Sequence, residues 1–141
     1  MGVTWDDDLS VGNALIDSDH KNLLVVVNRV EHDIKSRDRA AFSKSFALLD
    51  FYMQVHFRNE EKIAEAVNFP FNHNKVEHQQ ILHEMNNIKN ILDAANGIWP
   101  DHMVEMYSHY LSDWMCNHII NEDMLLKPVL QTYPYDFKPA D

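Results

Sequence analysis

Apolar residues recur along this chain at alternating steps of three and four, and the recurrences fall into four segments. The clearest joins Phe42, Phe46, Leu49, Met53, His56, Glu60, Ile63 and Val67, the spacing of one buried helix face. An earlier segment carries His20, Leu24, Val27, Val30, Glu31 and Ile34, and predicts a helix from Asp17 or Ser18, either able to cap it, to about Ser36. Asn68-Phe69-Pro70 breaks the second helix, because proline disfavours a helical residue before it. A third helix is expected from Phe71 or Asn72 to Ala95, with Asn74, His78, Ile81, Met85, Ile88 and Leu92 on one face and Asn96-Gly97 as its stop. Pro100 suits the first turn of a fourth helix, which carries Val104, Tyr107, Leu111, Trp114, His118 and Leu125.

These elements predict an all-α, up-down-up-down antiparallel four-helix bundle with an irregular N-terminal arm. One domain is expected: an arm over 1–16 containing Trp5 and a solvated Asp6-Asp7-Asp8, a bundle over 17–126, and a tail over 127–141 marked by Pro128 and Pro134. No segment alternates with the period of a strand.

Each apolar stripe is interrupted by an imidazole or a carboxylate. His20 lies in the first, His56 and Glu60 in the second, His78 in the third, and His118 with Asp123 at the end of the fourth. Burying such groups is costly unless something binds them, and a pair of metal ions at the bundle centre would do so. A lone histidine on an apolar face is more often a hydrogen-bonded core residue than a ligand; four such stripes together reverse that balance. His56 and Glu60, four apart, share a face. His118 and Asp123 are five apart, roughly 140° around an ideal helix, so the helix end must distort or the carboxylate must reach inward from the flank. Imidazole with carboxylate suits iron, copper, nickel or zinc. Ferritin-like bundles place Glu-x-x-His on two helices, and only Asp17-x-x-His20 comes near that pattern here.

Composition narrows the class. The net charge of -10 argues against a nucleic-acid surface, which needs clustered Lys and Arg. The longest apolar run, Leu23 to Val27, is too short to span a bilayer, and the N-terminus lacks the pattern of a signal peptide. Cys116 is the only cysteine, which excludes a disulfide framework and fits a reducing compartment. A soluble, cytoplasmic domain is expected.

The motifs resemble those of the hemerythrins, in particular their bacterial members. Ile16-Asp17-Ser18-Asp19-His20-Lys21-Asn22-Leu23 resembles the family's I-D-x-x-H-K-x-L, and His56-Phe57-Arg58-Asn59-Glu60-Glu61 its H-F-x-x-E-E. Glu77-His78 is similar to the second half of H-x-x-E-H, and Trp114-Met115-Cys116-Asn117-His118-Ile119 with Asp123 to W-L-x-x-H-I-x-x-x-D. The resemblance implies two non-heme iron ions with an oxo or hydroxo bridge, and dioxygen as a ligand that binds reversibly. It implies His20 and His56 on one iron, His78 and His118 on the other, and bridging by Glu60 and Asp123. Met115 stands where the family places a leucine near the dioxygen pocket and Ile81 where an aromatic is common, so these two, with Trp114, are expected to line that pocket. Asp17 is expected to cap its helix, with a contact to a ligand histidine as its second role.

One departure stands out. Asn74 occupies the position of the family's third imidazole on the second iron. Water or Asn74 completes that site, His73 substitutes through a local register shift such as a π-turn, or the second iron binds weakly. The implied function is oxygen sensing or carriage, with a fused or interacting signalling module as a partner. The alternatives are an oxidoreductase acting on peroxide or nitric oxide, and an iron-handling bundle without oxygen chemistry.

Overall fold

The computed structural model describes residues 4–95 and 98–139; the Asn96-Gly97 stop lies outside the described residues. The expected antiparallel four-helix bundle is the fold observed, built from α1 (Ala14–Lys35), α2 (Arg39–Ala66), α3 (Asn72–Ala94) and α4 (Asp101–Asn117). A π-helical turn (His118–Glu122), a 3-10 turn (Asp123–Leu126) and a short α5 (Lys127–Leu130) follow. No helix among the described residues is long and apolar enough to cross a membrane.

The first two helix ends close without glycine. At the end of α1, Arg37 takes φ 54° while the amides of Arg37 and Asp38 return to the carbonyls of Ile34 and Asp33. Asn68, at φ 58°, ends α2 in the same way, with Asn68 N–H on Glu65 O and Phe69 N–H on Ala64 O. These reciprocal bonds satisfy carbonyls that a helix end leaves open, and they hold non-glycine residues in the left-handed region.

The start of α1 differs from expectation. Asn13, not Asp17 or Ser18, caps it, accepting from the amides of Leu15 and Ile16. Asp17 is instead a buried tie between the termini: it accepts from Val11 N–H at 2.9 Å and from the Tyr135 hydroxyl at 2.9 Å. Asn13 also donates to the Phe137 carbonyl at 2.9 Å. The tail is therefore ordered against the arm, and Pro128 sits within α5 rather than in irregular chain. Asp6 to Asp8 are exposed, as expected, with a 3-10 turn at Asp7–Leu9.

Two apolar clusters fill the bundle. The larger includes Leu24, Val27, Met53, Phe57, Ile81, Met85, Leu111 and Met115. It is closed at its far end by Trp99, which packs edge-on against Phe42 and donates to the Leu92 carbonyl. The smaller gathers Ile16, Ile63, Ala64, Val67, Phe71, Leu126 and Leu130. Every position named on the α2 and α3 stripes is buried. On the fourth stripe, Leu125 is 55% exposed and Leu126 is buried in its place, because the turn tightens to 3-10 there. Buried Glu31 is satisfied by the Ser112 amide and hydroxyl.

Asn13→Ala should lower unfolding stability in urea by about 1 kcal/mol or more, the usual cost of losing an N-cap. Asn13→Asp, which keeps the cap but not the bond to Phe137, should lose less. Equal losses would assign the effect to the bond with Phe137 and none to the cap.

Candidate metal centre

Between the two clusters lies one polar layer. On α1, His20 is one turn from Ile16 and one from Leu24; on α2, His56 and Glu60 fall between Met53 and Ile63; on α3, His78 falls between Phe71 and Ile81. Helix α4 ends at Asn117 and widens into the π turn that starts at His118. A π turn closes over five residues, so it brings Asp123 round to the face His118 occupies. This distortion resolves the spacing of five that an ideal helix could not accommodate.

All six side chains are buried. Their reactive atoms converge: Asp123 Oδ2 lies 2.5 Å from His20 Nε2, 3.2 Å from His56 Nε2 and 3.1 Å from His118 Nε2. Glu60 spans the layer, with Oε1 3.2 Å from His56 Nε2 and Oε2 3.1 Å from His78 Nε2. Two donor sets result, His20, His56, Glu60 and Asp123 in one, and Glu60, His78 and His118 in the other, with the atoms of each within 4.8 Å of one another.

Part of this proximity is hydrogen bonding, from His20 and His56 to Asp123, and part is not. Both Glu60 oxygens, His78 Nε2 and His118 Nε2 are buried without a hydrogen-bond partner. Each such orphan costs about 1–3 kcal/mol, so a core holding four of them in one place calls for a compensating cation. Imidazole nitrogens with carboxylate oxygens are a donor set that fits iron and its neighbours.

Without a cation, protons take its place. Burial alone would push the His56 imidazole down, but Glu60, Asp123 and Asp19 raise it well above its usual range. Burial likewise opposes the charge on His118, and Asp123 with Glu60 overrides it, raising the group to about 10. Asp123 is driven well below the usual carboxylate range: burial would raise it, but His118 and hydrogen bonds from its neighbours lower it.

The Hemerythrin HHE cation binding domain family matches residues 11–130 of this chain. The chain belongs to that family. A bacteriohemerythrin of Pseudomonas aeruginosa (strain UCBPP-PA14) is 26% identical over 123 residues, covering 86% of this chain and 76% of the relative. A hemerythrin-like protein of Naegleria gruberi is 28% identical over 127 residues, covering 89% and 92%. The crystal structure of a hemerythrin point mutant superposes with a TM-score of 0.76 at 22% identity, covering 91% of this chain and 96% of that one, and so shares the fold.

Against hemerythrin motifs, the third helix holds the difference. Asn74 is buried, yet its amide donates to Glu122 Oε2 at 3.4 Å. His73 does not take its place: its side chain is 84% exposed and lies 3.8 Å from Glu77 on the outside of α3. The register shift it required occurs instead after α4, at His118. Burial and the facing Glu77 carboxylate push Glu122 up. Of the residues expected near a dioxygen pocket, Met115 and Ile81 are buried in the larger cluster, and half-buried Trp114 stacks on the His118 ring at 5.1 Å. His32, His83, His102 and His109 are exposed, away from the layer.

Sequence reasoning missed two contacts to this hemerythrin site. Phe57 stacks on His78 with centroids 3.9 Å apart, and Asp19, not Asp17, reaches a site imidazole, with Oδ2 3.3 Å from His56 Nδ1. The only available signal for Asp19 was its place beside His20, off the stripe and toward the next helix.

Cation uptake must displace the protons on His56 and His118. At pH 7, zinc titration of the metal-free domain should release about two protons per pair of cations, read in buffers of different ionisation enthalpy. Affinity should rise with pH toward 10, where His118 loses its proton. In the metal-free domain the raised His118 pKa stabilises the fold fully below about 6.5, its unfolded value. That share is lost as pH rises toward 10; a melting temperature that climbs over this interval would contradict the assignment.

Proposed function

We propose that this hemerythrin domain holds two non-heme irons and binds dioxygen reversibly, as an oxygen sensor or carrier. The observation that carries the reading is the buried layer of unpartnered donor atoms on Glu60, His78 and His118, facing His20, His56 and Asp123. In this reading His20 and His56 hold one iron, His78 and His118 the other, and Glu60 and Asp123 reach both. Bound there, a ferrous pair would supply the reversible two-electron chemistry that dioxygen binding needs.

The chain's own residues supply the surroundings. Met115 and Ile81 keep the layer dry from the larger cluster, and Ile16, Ile63 and Leu126 do so from the smaller. Apolar walls of this kind exclude water from the layer. Cys116 is a free thiol, pushed up by burial and by Asp113 and Glu31; a reducing, cytoplasmic setting is part of the proposed reading. A signalling module fused to or bound by the domain would make it a sensor.

A second reading rests on Asn74. Its amide turns to Glu122, and the set around His78 has three protein donors where the set around His20 has four. A site short of one imidazole would favour autoxidation, or turnover of peroxide or nitric oxide.

Iron analysis with absorption spectra tests both. The expected result is two irons per chain and an air-induced spectrum that reverts on removing oxygen; a single zinc, or no reversible spectrum, would overturn the first reading. Asn74→His should slow autoxidation severalfold. An unchanged rate, with the introduced imidazole shown to bind iron, removes the second.

A further inference from the structure

The four imidazoles of the layer differ at their outer edges. His20 Nδ1 and His118 Nδ1 are buried with no partner. His78 Nδ1 also has none, and the nearest carboxylate, Glu61 Oε1, stands 3.9 Å away on a side chain 39% exposed. It borders a cavity of about 210 Å³ that opens beside His78. Only His56 has a close anion. Asp19 Oδ2 lies 3.3 Å from its Nδ1, on a side chain 13% exposed.

That carboxylate is itself held. Asn59 Nδ2 donates to the same Asp19 oxygen at 2.9 Å. Asp19 and Asn59 immediately precede His20 and Glu60, so the two outer residues join α1 to α2 directly behind the inner donors. A carboxylate fixed in this way orients the ring, commits the Nδ1 proton outward, and leaves Nε2 as the lone pair facing the layer. It also raises the basicity of Nε2, and the low exposure keeps the interaction strong.

We propose that Asp19 is a positioning residue that makes His56 the strongest donor of the four, so that the two cation positions are unequal. The position at His20 and His56 binds its cation more tightly, and a redox-active ion there is oxidised more readily than one at His78 and His118. The inference rests on the reading that the layer holds two cations, and it concerns which of the two positions the protein favours.

Asp19→Asn tests it, with Asp19→Glu as the conservative variant and Glu61→Gln as the control at the exposed edge. Stepwise cobalt(II) binding is followed by visible absorption, and the reduction potentials of the iron-loaded domain are measured alongside. Asp19→Asn should weaken one cobalt step about 10–100-fold, the range seen when such outer partners are removed, and leave the other step unchanged. One iron's potential should rise, about 59 mV for each tenfold change in its oxidation equilibrium. Asp19→Glu should restore most of both effects, and Glu61→Gln should produce neither.

If Asp19 served only to join α1 to α2, Asp19→Asn would lower the melting temperature and leave both cobalt steps and the potentials in place; that result overturns the inference. So does equal weakening of both steps. A wild-type domain that takes up two cations while Asp19→Asn changes nothing removes only the role of Asp19. A wild-type domain that takes up none brings down the proposed function and this inference together.

Discussion

Four imidazoles and two carboxylates facing one another in a buried layer are the constraint on which this bundle depends. The layer spans all four helices and divides the apolar interior into a larger and a smaller cluster. Neither cluster can close unless the charges between them are balanced, since desolvating a carboxylate or an imidazolium alone costs several kcal/mol. Opposite charge supplies part of that balance through Asp123, whose one oxygen faces three imidazoles. Glu60 is left with neither oxygen hydrogen-bonded. The geometry is thus half solved by the protein, and the half left open is the part a cation fits.

The backbone is bent to serve that layer. An unbroken α4 would carry Asp123 off the inner face; the π turn at His118 adds the needed rotation, and the 3-10 turn after it restores an apolar residue, Leu126, to the core. π turns recur at functional sites because they place a side chain where regular geometry cannot. The same mechanism could have rescued His73, but nothing on α3 draws an exposed imidazole inward past Asn74. Asn74 finds a partner in Glu122, which the π turn itself presents.

The long stripes were legible in the sequence because burial there follows period alone: every position named on α2 and α3 is inside. The polar layer was legible for the same reason, as interruptions at one height on four stripes. What stayed hidden depended on partners far along the chain. Asn13, Asp17 and Ser18 are all capping residues by type, and Asn13 takes the role while contacts to Tyr135 and Phe137 claim the arm around it. The contact of Asp19 to His56 crosses 37 positions. Leu125 and Leu126 exchange places because the chain changes helix type between His118 and that point, which a pattern read at constant pitch does not register. Trp99 lies outside any stripe, and its role at the far end shows only in its bond to the Leu92 carbonyl.

The position of the layer has a thermodynamic consequence. It lies nearer one end of the bundle, so the smaller cluster, with both termini tied to it through Asp17 and Asn13, communicates with the larger one through six polar side chains. A cation that binds the folded layer and not the unfolded chain adds RT ln(1 + [L]/Kd) to stability, and adds it at this boundary. Occupancy would then set how far the two ends of the domain melt as one cooperative unit, and the tied termini would be the first part of the chain to register its loss.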